Sequence, residues 1–247
     1  MENSRFLECL AADTTRLRTV AQKDLGARVP TCPDWTNTDL LRHVATVFLH
    51  KTKCMQLNAE PKPWPPDLTG EEPIALLDRA YRELTAEFAW RDPSAPAASW
   101  YEPDQSVAFW IRRMAQEAVI HRIDAELAVG GSSHPVPDDL AVDGIDELLV
   151  CFLSYGSVNW PTYFVDSLGA TNGEVVRVSS GGSTWDLTLK PEGVTVGSSA
   201  AAAATISAAP DTMVRWLWRR TDPGAIEVEG DQALVDKLWA ALEEATQ

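Results

Sequence analysis

The most informative pair of residues in this sequence is a glutamate and a histidine four positions apart. In the run Q-E-A-V-I-H-R-I-D-A-E, Glu117 and His121 are i and i+4 of a predicted helix, so both side chains leave the same face one turn apart. A carboxylate and an imidazole in this arrangement can bind one divalent cation together. Two ligands are too few, so a metal site needs a third ligand from another helix.

Histidine is scarce, since the chain contains only four. His43 lies between apolar residues of an earlier predicted helix, on a stripe expected to face inward, and is the best candidate for the third ligand. His50 is a weaker candidate, because two helical turns separate it from His43 by roughly 10 Å. His134 follows a Gly-Gly-Ser-Ser segment and is expected to be exposed. The alternatives to a metal site are a solvated ion pair and a hydrogen-bonded core histidine.

Helices must position these residues, and the first half of the chain has the required periodicity. Apolar residues recur at helical spacing over about 4–25, in a second helix after Thr36, over about 74–90 and over about 105–129. The break V-P-T-C-P-D-W-T holds two prolines that cannot lie inside a helix, and Thr36 can cap the next helix with Asp39 three positions on. Four helices with such loops predict an antiparallel bundle.

After about residue 170 the pattern changes to short β-branched runs. These predict strands of a small sheet: GEVVRVSS, STWDLTLK, GVTVG and AIEVEG. The Ala-rich run SSAAAAATISAA is expected to be a strand or its flanks. Two amphipathic helices, DTMVRWLWRR and DQALVDKLWAALEEA, flank the last strand, and a helix near 138–155 is the expected bridge between the halves. The predicted fold class is α+β, with a helical bundle over 1–160 and a small α+β domain over 161–247.

Charge, hydropathy and cysteine content indicate which partners and which cellular compartment to expect. The 36 acidic and 21 basic residues give a net charge of −15, which disfavours nucleic acid or an anionic membrane as the main partner. The first residues lack the apolar region of a signal peptide, and no apolar stretch approaches a membrane span. The scattered cysteines indicate free thiols in a reducing cytoplasm: Cys9, Cys32, Cys54 and Cys151. Cys32 precedes the second helix, where a structural role is favoured over a nucleophilic one.

Two motifs resemble the mycothiol-dependent maleylpyruvate isomerase family of actinobacteria. They are V-P-T-C-P-D-W-T-x-x-D-L-L-x-H-V and Q-E-A-V-I-H-R-I-D-A-E, while T-W-D-L-T-L and I-E-V-E-G-D-x-A-L-V resemble the C-terminal domain of that family. The resemblance covers nearly the whole chain. It implies a DinB-like four-helix bundle followed by a small α/β domain related to sterol carrier proteins.

The resemblance also implies a metal and a cosubstrate. Zinc, or another divalent metal, would be held by His43, Glu117 and His121, and its open position would receive the thiolate of mycothiol. The thiolate would then isomerise a small electrophile or transfer sulfur to it, at an interface between the bundle and the C-terminal domain. Two alternatives are a metal-dependent hydrolase or lyase that activates water, and a non-catalytic binding or regulatory protein that retains the fold.

Five further residues receive roles from the resemblance, each with a structural alternative. Arg122 and Asp124 would support the metal ligands or contact the sugar of mycothiol, or else form an ion pair within the bundle. Trp35 would line the pocket or pack as a hydrophobic staple. Arg219 and Arg220 correspond in place to the arginine that holds an anionic substrate, but arginines at a helix C-terminus also complement the helix dipole.

Overall fold

The computed structural model describes residues 1–199 and 201–246, which form two compact units, Met1–His134 and Pro135–Gln247. The sequence-based boundary at residue 160 lies later in the chain, and the two divisions assign residues 135–160 differently. The helix predicted near 138–155 packs against a helix of the second unit, which explains why residue contacts place it there. Among the described residues, no helix is both long and apolar enough to cross a bilayer.

The first unit is a bundle of four helices, as the periodicity predicts. They are α1 (Asn3–Ala21), α2 (Asn37–Leu57), α3 (Pro73–Trp90) and α4 (Val107–Ala128). Helix α4 packs against α1 and α2, and α2 also packs against α3. Leucine, valine and phenylalanine side chains from all four helices are fully or almost fully buried and form the core between them.

The start of α2 is set by a capping box. The Thr36 side chain accepts a hydrogen bond from the Asp39 amide, and the Asp39 carboxylate accepts one from the Thr36 amide at 2.8 Å. These bonds satisfy backbone donors that the first turn leaves without helical partners. The cap predicted from the sequence is therefore confirmed, and it places His43 in the second turn of α2.

The segment before α2 is more ordered than a break with two prolines suggests. It forms a short antiparallel hairpin of β1 (Arg28–Val29) and β2 (Cys32–Thr36). Because a two-stranded ladder leaves an outer edge without hydrogen bonds, Pro33 can lie in β2 without a missing donor. The hairpin positions Thr31 at its turn and Trp35 at its end, directly before the cap.

Helix α4 is buried on nearly all sides and still carries seven polar or charged side chains that are almost inaccessible to solvent. They are Arg113, Gln116, Glu117, His121, Arg122, Asp124 and Glu126. Burying charged groups is costly unless they are paired with each other or bind a ligand. This concentration of buried charged side chains on one helix indicates that α4 carries the functional site of the first unit.

The second unit combines helices with one five-stranded sheet. The strands are β3 (Glu174–Ser180), β4 (Ser183–Lys190), β5 (Gly193–Gly197), β6 (Ala204–Ser207) and β7 (Glu227–Gly230). Their order is β5-β4-β3-β6-β7, with β3 and β6 parallel and all other pairs antiparallel. The strand predicted in the Ala-rich run is β6, although Ala200 of that run lies outside the described residues.

Helices cover the rest of the second unit. They are α5 (Asp138–Glu147), α6 (Tyr155–Asn159), α7 (Val165–Leu168), α8 (Pro210–Leu217) and α9 (Gln232–Ala245). A π-helical segment, Leu148–Ser154, joins α5 to α6, and α5 packs against α8. The predicted α+β fold class, a helical bundle followed by a small sheet-containing unit, is confirmed.

Candidate metal centre

Three side chains from two helices of the first unit direct their donor atoms at one another. Glu117 Oε1 lies 3.3 Å from His43 Nε2 and 3.2 Å from His121 Nε2. All three candidate ligand atoms lie within 4.8 Å of one another, and no other group of this kind occurs among the described residues. The structure thus brings together the three residues that helical spacing had singled out.

Two of the three separations between these atoms fit a tetrahedral metal, and the third, between the ring nitrogens of His43 and His121, is within 4.8 Å. Zinc–nitrogen and zinc–oxygen bonds of about 2.0–2.2 Å require ligand atoms roughly 3.3–3.6 Å apart along each edge of a tetrahedron. The separations from Glu117 Oε1, 3.3 Å to His43 and 3.2 Å to His121, are close to that edge. Three protein ligands leave a fourth position for a water molecule or a thiol. His43 is the most exposed of the three, with 37% of its side chain accessible.

Asp124 orients the imidazole of His121. Its Oδ2 lies 2.9 Å from His121 Nδ1, and its Oδ1 accepts a 2.6 Å hydrogen bond from the Thr31 hydroxyl. A proton on Nδ1 directed at this carboxylate leaves the Nε2 lone pair free to face Glu117 and a metal. Of the three roles considered for Asp124 from the sequence, these contacts favour support of a metal ligand.

Arg113 holds the other oxygen of Glu117. Its Nη2 lies 2.5 Å from Glu117 Oε2, and both side chains are nearly inaccessible. The guanidinium therefore neutralises one side of the carboxylate and fixes its rotation, so that Oε1 remains directed at the two histidines. The i, i+4 spacing of Arg113 and Glu117 is a signal for this pair in the sequence, although the metal-ligand pattern alone does not include Arg113.

This arrangement shifts the pKa values of two of the three candidate ligands, His121 and Glu117. Burial disfavours the imidazolium of His121, but the carboxylates of Glu117 and Asp124 outweigh burial and raise the pKa of His121 to about 9. Burial also opposes ionisation of Glu117, yet the two histidines and Arg113 hold its pKa well below the usual value. A metal that binds here displaces the proton of His121, because a histidine ligand must be neutral.

Trp35 packs on the histidine rings. Its ring centroid lies 4.7 Å from that of His43 and 6.4 Å from that of His121. The hairpin that precedes α2 directs this side chain towards the centre. Of the two roles considered from the sequence, these contacts favour the wall of a pocket over a hydrophobic staple.

Comparison with known proteins agrees with this geometry. Residues 7–126 match the model of the mycothiol maleylpyruvate isomerase N-terminal domain, and residues 139–237 match the model of the MDMPI C-terminal domain, from the same family. The two matches together span most of the chain. The chain belongs to the mycothiol-dependent maleylpyruvate isomerase family. At the level of the family, this confirms the prediction that it is a mycothiol-dependent enzyme of the maleylpyruvate isomerase type.

Two solved structures show the same fold. A crystal structure of the mycothiol-dependent maleylpyruvate isomerase and one of its histidine-to-alanine mutant each cover 93% of this chain and 93% of their own. Their TM-scores are 0.63 and 0.64, at 13% and 12% identity. A ubiquinone synthesis protein, UbiJ-SCP2, is 28% identical over 43% of this chain and 96% of its own, with a TM-score of only 0.31. None of the curated proteins matches significantly.

The isomerase motif that contains His121 also contains Arg122, which faces away from the metal ligands. Its Nε lies 3.0 Å from Asp13 Oδ1, and its Nη1 donates to Glu126 Oε2 at 2.8 Å and to the His134 carbonyl at 2.6 Å. Only 2% of the Arg122 side chain is accessible. These contacts favour the structural ion pair over contact with the sugar of mycothiol.

Arg219 and Arg220, the two arginines of this chain that the family resemblance suggests for substrate binding, lie in the second unit. Arg219 donates to the Trp239 carbonyl at 3.0 Å, stacks 4.6 Å above the Trp239 ring and lies 3.1 Å from a Glu243 oxygen. Arg220 donates from Nη1 to the Trp218 carbonyl at 2.6 Å. Both guanidinium groups thus have partners within their own unit, and their role in substrate binding stays a prediction.

The remaining histidines and cysteines lie outside the metal centre. His50 contacts Lys51 and Cys54 rather than the three ligands, and His134 is 61% exposed beside Glu126, as expected from the sequence. All four cysteines are free thiols, as predicted. Besides Arg113, sequence reasoning missed Thr31, which has no recognisable signal in the proline-rich break, and Lys51, which looks like an ordinary helical lysine.

We expect Asp124→Asn to weaken metal binding about 10- to 100-fold while the protein stays folded, because an amide cannot stabilise the Nδ1 proton of His121 as a carboxylate does. Competition with a chromophoric chelator measures this affinity. Asp78→Asn is the matched control, since Asp78 pairs with Arg18 on the surface of the bundle. Equal affinities in the two variants would show that Asp124 does not support the ligand.

Proposed function

We propose that this chain is a zinc-dependent enzyme that uses mycothiol as a thiol cosubstrate for cis–trans isomerisation of a small electrophile, or for sulfur transfer to it. The observation that carries the proposal is the convergence of His43, Glu117 and His121, supported by Asp124, in a chain whose two domains both match this isomerase family. The donor set of two imidazoles and one carboxylate is typical of zinc sites with an open position.

Each residue of the centre has a defined task in this proposal. His43, Glu117 and His121 hold the metal, which when bound stabilises the mycothiol sulfur as the nucleophilic thiolate. Asp124 keeps His121 in the tautomer that can bind a cation, and Arg113 keeps Glu117 ionised and oriented. Trp35 covers the faces of the histidine rings and limits the access of water to them.

The nature of the electrophile decides between the two reactions. Addition of the thiolate to a conjugated double bond forms a carbon–sulfur bond and a single carbon–carbon bond that can rotate. Loss of the same thiolate then restores the double bond in the other geometry, so no thiol is consumed. When the electrophile carries a leaving group instead, the carbon–sulfur bond persists, the leaving group departs with its electron pair, and one thiol is consumed per turnover.

The wider setting follows from the same chemistry. A reduced thiol cosubstrate and four free cysteines support a cytoplasmic location, and the use of mycothiol supports an actinobacterial source. The net charge of −15 favours small molecules over nucleic acid or an anionic membrane as partners.

Metal content and thiol dependence together test the proposal. We expect about one zinc per chain by elemental mass spectrometry in protein purified without a metal-affinity step, and loss of that zinc in His121→Ala. Turnover of maleylpyruvate should require added mycothiol and disappear in the variant.

Two other outcomes would contradict it in different ways. Turnover that needs the metal but not mycothiol would indicate a hydrolase or lyase that activates water. Failure of the wild type to bind zinc when zinc is offered would indicate a non-catalytic protein.

A further inference from the structure

Lys51 lies at the groove between α2 and α4, the two helices that carry the metal ligands. Helices α2 and α4 run antiparallel here, because His43 faces Glu117 and His121, whereas Lys51, two turns later on α2, faces Trp110 near the start of α4. Eight residues correspond to about 12 Å along a helix axis. The Lys51 ammonium lies beside Trp110 and is close enough to Glu117 for the charge of that carboxylate to act on it.

The ammonium of Lys51 has weak partners for a partly buried charge. Its Nζ lies 3.1 Å from His50 Nδ1 and 4.9 Å from the centroid of the Trp110 ring. Among the residues that the structure describes, no carboxylate forms an ion pair with it. Burial lowers the pKa of Lys51 most strongly, Arg113 lowers it further, and the nearby Cys54, Glu117 and Glu60 partly oppose this shift.

His50 cannot supply the missing negative charge. Burial and the neighbouring Lys51 lower the pKa of His50 to about 4, so its ring is neutral at physiological pH and accepts a hydrogen bond at Nδ1. A neutral ring and the face of a tryptophan offset only part of the cost of removing an ammonium from water. The groove therefore has a cation whose best partner would be an anionic group from a ligand.

The surrounding charges strengthen this attraction. The Glu117 carboxylate pairs with Arg113 and contacts both histidines, so it forms no ion pair with Lys51. A divalent metal on His43, Glu117 and His121 would add two positive charges to the same groove. Although the whole protein has a net charge of −15, these positive charges would attract small anions to the groove between α2 and α4.

We propose that Lys51 binds a carboxylate of the electrophilic substrate and so determines a preference for carboxylate-bearing electrophiles. The proposal rests on the function proposed above and adds a specificity-determining residue within the first unit. A substrate carboxylate at Lys51 replaces His50 as the acceptor of a hydrogen bond from the ammonium. The rest of the substrate then extends towards the metal centre. No covalent step involves Lys51.

Binding of maleate to the zinc-loaded full chain tests this role by isothermal titration calorimetry. We expect Lys51→Met to weaken maleate binding about 10- to 100-fold, because a charged hydrogen bond to a carboxylate is lost, and Lys51→Arg to restore most of it. Binding of the uncharged dimethyl maleate should be the same in wild type and Lys51→Met. Lys53→Met is the matched control, since Lys53 is exposed on the same helix and contacts Gln56.

Thermal unfolding separates this role from a structural one. If Lys51 serves to bind a ligand, Lys51→Met should unfold at the same temperature as the wild type or higher, because a partly buried cation without an ion-pair partner has been removed. Unchanged maleate affinity in Lys51→Met, or no maleate binding by the wild type, would overturn the proposal. Zinc content and mycothiol-dependent turnover are measured on the same samples, so failure of the proposed function would be recognised separately.

Discussion

Glu117→Gln is expected to lower mycothiol-dependent turnover by at least about 1000-fold and to release the metal. Glutamine has nearly the same shape but offers a neutral, weaker ligand in place of the oxygen that lies within 3.3 Å of both histidines. A bound metal contributes several kcal/mol to catalysis, and 1000-fold corresponds to about 4 kcal/mol. Steady-state kinetics and elemental mass spectrometry measure the two effects.

Two comparisons make the Glu117 prediction specific. Glu83→Gln, on α3, removes a carboxylate that pairs with Arg79 on the surface, and it should leave both zinc content and turnover unchanged. Turnover of Glu117→Gln should recover in part when the zinc concentration is raised, since its main defect is metal affinity. A variant that kept one zinc per chain and normal turnover would show that Glu117 is not a ligand.

Glu126→Gln is expected to destabilise the first unit by about 3 kcal/mol at neutral pH. Glu126 accepts hydrogen bonds from Arg16 at 2.8 Å, Arg122 at 2.8 Å and Ser133 at 2.8 Å. Burial opposes ionisation, but these donors prevail and lower the pKa of Glu126 from 4.5 to about 2. Each pKa unit corresponds to about 1.4 kcal/mol. Urea unfolding followed by circular dichroism measures the loss.

The effect of this substitution should depend on pH in a defined direction. The pKa of Glu126 is lower in the folded than in the unfolded chain, so its stabilisation is fully present above about pH 5. It is lost as the pH falls through 4.5 towards the folded value of about 2. Because glutamine does not titrate, the difference between wild type and Glu126→Gln should shrink over this range. A difference of the same size at pH 7 and at pH 2.5 would contradict the electrostatic explanation.

Glu8→Gln is the matched control for Glu126. Glu8 pairs with Arg5 at 3.2 Å, and 68% of its side chain is exposed. Exposed ion pairs contribute little, so this variant should change the free energy of unfolding by less than about 0.5 kcal/mol at any pH.

Local rules explain why much of the candidate site could be predicted from sequence. The i, i+4 spacing of Glu117 and His121 fixes a shared face on α4 before any tertiary contact is known. The capping box at Thr36 sets the start of α2, and with it the face that carries His43. Periodicity and β-branched runs likewise predict the four helices and the strands of the second unit, because each depends on residues close together in the chain.

The support around the metal ligands could not be predicted in this way. Thr31 and Asp124 are 93 residues apart, and Asp13 and Arg122 are 109 apart, yet each pair is hydrogen-bonded. The hairpin that carries Thr31 and Trp35 was expected only as a break, because prolines disfavour both helices and central strands.

The sequence by itself therefore determined the fold class, the metal ligands as a candidate set and the family, since these follow from local spacing and motifs. Only the tertiary structure decided that Asp124 supports His121 whereas Arg122 pairs with Asp13 and Glu126. It also decided that Lys51 is a partly buried cation that forms no ion pair with a carboxylate among the described residues. The physical reason is that burial and ion pairing depend on which helices pack together, and local spacing does not encode that choice.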